Sequence, residues 1–250
     1  MNESAKEWAA EDYTYRLPDH WLLDDKNPSG YFEILHKAYV DRVVELVKDA
    51  GARTVIEVGC GDGWNCSRLV DAGLEVVGID WSKNGTDHAA RLVPKAQIYR
   101  GDVRDVGFSG RFPHPFDAVI LVEVIEHIPP KDCADALRNI AATIRVGGTF
   151  VLTTPATNVP NNNPQHYRHF DEQTLKSLIE EAGGLTINSI EGYGNYPYRR
   201  AMYRRLRWFD NRYYTIKPIK RRILDQYRGN CSRTPLSTCE GFVIAMTKTA

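Results

Sequence analysis

The residues with the clearest chemical potential are Glu123, Glu126 and His127, in the run Glu123-Val124-Ile125-Glu126-His127-Ile128-Pro129. They fall at i, i+3 and i+4, so a helical turn would put all three on one side. The ordinary pKa of an imidazole suits His127 to general-base work near neutral pH; its other role would be a histidine hydrogen-bonded under the following loop. The same trio, completed by a remote histidine and water, could instead hold a hard divalent ion. The remote histidines are His166 and His169, in a polar loop at Pro155–His169. They are also the second-line base candidates.

A glycine-rich turn stands upstream, in Thr54–Cys66 (TVIEVGCGDGWNC). Thr54, Val55, Ile56 and Val58 suit a strand buried on both faces. A strand-to-helix turn through Gly59, Gly61 and Gly63 lets a ligand approach backbone closely, with helix N–H groups pointing at it. A dinucleotide fingerprint needs a third glycine at the sixth position, which here is Trp64. The pattern is G-x-G-x-G instead, with Glu57 two residues ahead, so a nicotinamide-dependent oxidoreductase is disfavoured. Asp80 ends the next apolar run, 21 residues after Gly59, where a βαβ unit places a carboxylate for a ribose diol. Gly101-Asp102-Val103 follows the run after that, and Asp102 could equally be a turn or N-cap residue.

In this order the segments resemble class I S-adenosylmethionine-dependent methyltransferases, over roughly Tyr31–Gly192 plus the final strand. The resemblance implies a cofactor site of Glu57, Gly59, Gly61, Asp80, Trp81, Asp102, Val103 and Glu123. Asp80 would accept from both ribose hydroxyls, Trp81 would contact the adenine, Asp102 would accept from the adenine amine, and the Val103 N–H would donate to the ring. The E-x-x-E-H-x-P step resembles a subgroup that includes the O-methyltransferases of ubiquinone synthesis and many sugar and natural-product enzymes. His127 and His166 are the catalytic candidates. Methyltransferases of small-RNA 3′ ends use E-x-x-E-H plus a later histidine to hold magnesium, but the surrounding pattern of that family is not matched. No metal ligand is therefore assigned, and magnesium is the lesser alternative.

These residues need a scaffold. Apolar runs at Glu75–Trp81, Ala96–Arg100, Phe116–Val124, Thr149–Thr154, Leu185–Ile190 and Gly241–Lys248 read as strands after the first. Helices are expected over Tyr31–Lys48, Asn65–Val70, Asn84–Val93, Asp132–Val146 (stopped by Gly147-Gly148), and from Asp171 to Gly183. This order predicts an α/β fold with a doubly wound, mostly parallel, seven-stranded sheet of Rossmann-like methyltransferase type. Residues 1–50 form an N-terminal helical cap, in which Asn2–Asp12 could be a short helix and Asn27–Gly30 a turn. The aromatics Tyr13, Tyr15, His20 and Trp21 are its lid candidates. The core is 51–192 with 241–250. An insertion, 193–240, separates the last two strands and is the main departure from the family's core. It mixes cations (among them Arg199, Arg200, Arg204, Arg207, Lys217 and Arg222) with Tyr203, Trp208 and other rings. Three roles compete: a helical cap with a solvated basic face, a lid for an anionic acceptor such as a nucleotide sugar, or a nucleic-acid surface.

Composition sets the limits. The chain has 250 residues and a formal net charge of zero, so any charge asymmetry is local, and nucleic acid is disfavoured as the main partner. No apolar stretch is long enough to span a membrane, and the first residues lack a signal-peptide pattern. Five scattered cysteines without a C-x-x-C pair fit reduced thiols and a cytoplasmic setting. The expected function is S-adenosylmethionine-dependent O-methylation of a small polar or anionic biosynthetic intermediate, such as a sugar. The alternatives are an RNA methyltransferase and a non-catalytic cofactor-binding module.

Overall fold

The structure is a computed structural model and describes residues 15–22, 31–105, 107–112, 114–210, 215–229, 231 and 233–249. The helix expected at Asn2–Asp12, the ring of Tyr13 and the turn at Asn27–Gly30 lie outside the described residues. Strands β1 (Thr54–Val58), β2 (Glu75–Asp80), β3 (Gln97–Arg100), β4 (Phe116–Val122), β5 (Ile144–Pro155), β6 (Leu185–Tyr193) and β7 (Gly241–Lys248) form one sheet in the order β3-β2-β1-β4-β5-β7-β6. β7 runs antiparallel to both neighbours, and the other pairings are parallel. This is the expected seven-stranded, doubly wound α/β fold.

Burial explains the choice of strands. Val55, Ile56, Val119, Ile120 and Leu121 are all shut off from solvent, as central parallel strands require. Helices α1 (Tyr31–Asp49), α2 (Trp64–Asp71) and α3 (Lys83–Leu92) cover one face, and α4 (Cys133–Ala141) and α5 (Glu172–Ala182) cover the other. Side-chain caps fix helix starts: Ser82 Oγ accepts from the Gly85 N–H at 3.0 Å, and Asp171 Oδ1 from the Thr174 N–H at 2.7 Å. Strand order reverses between β1 and β4, so the loops leaving their carboxyl ends diverge and open a crevice.

The insertion folds as two helices, α6 (Tyr196–Phe209) and α7 (Lys217–Arg228). Its buried side chains, Met202, Ile223, Leu224 and Tyr227, join the same apolar cluster as Val43 and Val47 of α1. Its base is polar and closed: Glu240 accepts from Arg199 Nη1 at 2.5 Å and from the Tyr227 hydroxyl at 2.8 Å.

Two boundaries differ from the sequence reading. Gly147-Gly148 does not stop a helix. α4 ends at Ala141, and β5 already pairs at Ile144, opposite Phe116. The two glycines sit in a bulge, where the register shifts before Ala118 pairs with Thr149. β4 ends at Val122, and Glu123 adopts a left-handed φ of 54°. The five cysteines are buried and unbridged. Among the described residues, no helix is long and apolar enough to cross a membrane.

Candidate active site

The loop after β1 is built for close approach. Gly59 and Gly61 have φ of 78° and 50°, and a Cβ added to Gly61 would lie 2.4 Å from the Tyr15 hydroxyl. Asp80 clamps this loop. Its Oδ2 accepts from the Gly61 N–H at 2.9 Å and its Oδ1 from the Ser82 N–H at 2.8 Å. Asp80 is only 6% exposed yet lines the cavity.

That cavity has a volume of about 420 Å³ and lies along the carboxyl ends of β1 to β5. Gly59, Gly61, Asp80, Trp81, Asp102, Val103, Glu123, His127 and His166 all line it. Of the residues expected at the site, Glu57 does not. It is fully buried beneath the loop, where its Oε1 accepts from Asn65 Nδ2 at 2.8 Å. Burial raises its pKa to about 7, against bonds from Cys66 and Asn65 that lower it. Asp102 is held by Arg104 through contacts of 2.7–3.1 Å, and the Arg104 guanidinium stacks 5.3 Å from the Trp81 ring. One end of the cavity is thus walled by a ring, a paired carboxylate and Val103.

The other end gathers the carboxyl and imidazole groups. Glu123 Oε1 accepts from the Thr153 hydroxyl at 2.8 Å and the Tyr193 hydroxyl at 2.9 Å. Glu126 Oε2 accepts from the Thr154 hydroxyl at 3.1 Å, while its Oε1 has no hydrogen-bond partner among the described residues. Both carboxyls are shifted upward by burial, and Glu126 further by the charge of Glu123. The single 3-10 turn Ile125–His127 does not extend back through Glu123, so the expected three-residue helical face does not form. The group that converges is instead Glu126, His127 and His166, with ligand-type atoms all within 4.8 Å of one another. One carboxylate and two imidazoles form a poor donor set for magnesium, which takes oxygen ligands.

Backbone bonds bring the two histidines together. The Tyr167 N–H donates to the Glu126 carbonyl at 2.8 Å, and the rings of His127 and His166 meet edge-on at 4.6 Å. Burial lowers the pKa of His127 to about 4, against a bond to the Gln165 backbone. Burial, together with His127 and His169, takes His166 to about 4 as well. Both rings are therefore neutral at physiological pH. His169 contacts His166 from behind at 3.0 Å and does not line the cavity.

Residues ahead of β1 line the front. Tyr15 and His20 line the cavity, as do His36 and Tyr39 of α1. The Trp21 indole N–H donates to the Asp62 carbonyl at 2.9 Å. Burial pulls the His20 pKa down, but the bond to Asp62 and its charge outweigh this and leave it raised. His36 falls to about 4 through burial and the charge of His20. Arg104, His36, Tyr39, Asn163 and Gln165 carried no sequence signal. No described residue of α6 or α7 lines the cavity.

Fold and site together define an α/β protein with a ligand crevice at the switch point between β1 and β4. A methyltransferase-domain family model matches residues 31–188, and the chain belongs to that family. It is 29% identical over 144 residues to a probable S-adenosylmethionine-dependent methyltransferase of Mycolicibacterium smegmatis, covering 55% of this chain and 54% of that one. It is 26% identical over 194 residues to a ubiquinone biosynthesis O-methyltransferase of Coxiella burnetii, covering 68% of this chain and 80% of that one. The chain spans little more than half the length of the first of these relatives. The fold is also that of magnesium protoporphyrin IX methyltransferase from Synechocystis, solved with bound S-adenosylmethionine (TM-score 0.61, 15% identity, 97% of each chain). The residues present fit such a cofactor: the left-handed glycines Gly59 and Gly61 line the cavity, and Asp80, bonded to the Gly61 N–H, lines it beside them.

Proposed function

We propose that the chain transfers a methyl group from S-adenosylmethionine to a hydroxyl of a small polar or anionic molecule, such as a sugar, nucleotide sugar or related biosynthetic intermediate. The observation that carries this is one cavity joining the Asp80 and Asp102 end to the His127 and His166 end. Asp80 holds the ribose hydroxyls. Trp81, Asp102 and Val103 receive the adenine, and Gly59, Gly61 and Glu123 border the amino-acid end. Glu57 acts from below, by fixing Asn65. The cofactor, when bound, supplies an activated methyl on a sulfonium. The protein orients the acceptor, excludes water and removes a proton, largely a proximity effect. His127 and His166, both neutral and at the far end of the cavity, are the groups able to take that proton.

The small-molecule reading is favoured by the size of the cavity, about 420 Å³. The insertion favours a second reading, an RNA acceptor. α6 exposes Arg200, Tyr203, Arg204, Arg207 and Trp208, with Trp208 72% exposed, and none of them lines the cavity. Incubation with methyl-labelled S-adenosylmethionine and a cell extract, with and without chelator, separates the possibilities. The expected result is label in the small-solute fraction, unaffected by chelator. Label in RNA would replace this reading with the second, and chelator sensitivity would make Glu126, His127 and His166 a metal centre. Saturable binding of S-adenosylhomocysteine with no transfer to any fraction would mean a binding module.

A further inference from the structure

The loop after β5 also sets the chemistry of one histidine. His169 Nδ1 lies 2.9 Å from the Val159 carbonyl oxygen, and His169 Nε2 lies 3.0 Å from His166 Nδ1. A carbonyl only accepts, so His169 Nδ1 carries a hydrogen. In the neutral ring, Nε2 then holds a lone pair, and His166 Nδ1 must be the donor to it. The same rule leaves His166 Nε2 without a hydrogen. Because Nδ1 is turned to His169, Nε2 is the nitrogen left for the cavity that His166 lines.

The far end of this chain of bonds is anchored. The Val159 N–H donates to the Ala156 carbonyl at 3.0 Å, Thr157 N–H to the Phe170 carbonyl at 2.8 Å, and Phe170 N–H to the Pro155 carbonyl at 3.1 Å. The Val159 carbonyl is therefore tied to the end of β5 rather than to a free loop, and it fixes the tautomers of two rings in turn.

We propose that His169 is a positioning residue that locks His166 in its Nδ1–H tautomer and thereby presents the Nε2 lone pair to the acceptor. This rests on the reading of the site as methyl transfer to a hydroxyl. In that reaction His166 Nε2 takes the hydroxyl proton as the O–C bond forms and the C–S bond breaks. The positive charge of the sulfonium ends on the His166 ring. Without His169, the ring can flip or take the other tautomer, and Nε2 then carries a hydrogen that blocks proton removal.

The test is side-chain ¹⁵N spectroscopy of the wild-type histidines, with His166 assigned by loss of its signals in His166→Ala. The expected result is a hydrogen on Nδ1 and none on Nε2. In His169→Phe, which keeps a ring but neither hydrogen bond, His166 should shift toward the Nε2–H form. Label transfer into the small-solute fraction should fall by about tenfold or more, within the range of a lost general base. Binding of S-adenosylhomocysteine should be unchanged. His169→Gln, whose amide offers one donor and one acceptor, should restore both tautomer and rate. A wild-type spectrum with the hydrogen on Nε2 overturns the relay whatever the activity, and needs no variant of His169 to fold. An Nδ1–H spectrum with wild-type transfer in His166→Ala means that the base reading has failed, and the positioning role with it.

Discussion

Asp80 acts on both sides of the cavity wall, clamping Gly61 and Ser82 from behind while facing the cavity. Asp80→Ala is therefore expected to weaken S-adenosylhomocysteine binding by about tenfold or more, the value of a charged hydrogen bond. Calorimetric titration checks this, and unchanged affinity would remove Asp80 from the site. Glu57 gives a prediction of opposite sign for stability. Its folded pKa, about 7, lies above the ordinary 4.5. The unfolded state thus loses its proton first as pH rises, and stability falls between those two values. Glu57→Gln should raise unfolding stability at pH 8 by about 1–3 kcal/mol and change it little at pH 4.5. Urea unfolding at both pH values tests this; an equal effect at both would mean that Glu57 is ionised in the fold. At this scale the sequence pointed to Asp80 by its spacing from Gly59, to Asp102 and His127 by the motifs after β3 and β4, and to His166 by its loop after β5, and all four line the cavity. It could not show that Arg104 occupies Asp102 or that His169 backs His166, since those partners are set by loop conformation.

At the scale of elements, the strands and the loop after β1 were legible because buried parallel strands leave continuous β-branched runs between turn residues. The bulge at Gly147-Gly148 was not, since a glycine pair after a helical pattern reads equally as a helix stop. The turn after β4 also departed: spacing alone put Glu123 on the face of Glu126 and His127, but its left-handed φ turns the chain first. The insertion is the clearest case. Its charges dominate the sequence, yet its buried Met202, Ile223, Leu224 and Tyr227 bind it to the core under α1. Arg199→Met should then cost about 3 kcal/mol, because it strips Glu240 of a buried partner. Melting followed by tryptophan fluorescence and by circular dichroism should show one lowered transition. Separate melting of a helical segment, with the core unchanged, would make 193–240 an independent cap.

At the scale of the whole molecule, the sheet gathers five loop ends around one cavity and leaves the basic, aromatic surface of α6 elsewhere. The fold thus separates the place where chemistry can happen from the feature most conspicuous in composition. The central claim is that cofactor and acceptor share that cavity, with Asp80 and Asp102 at one end and His127 and His166 at the other. The most direct test is the structure of the complex with S-adenosylhomocysteine. The expected result places the ribose hydroxyls on Asp80, the adenine beside Trp81 and Val103, and the sulfur open toward His127 and His166. A nucleoside bound outside the cavity, or a sulfur turned away from both histidines, would contradict the account.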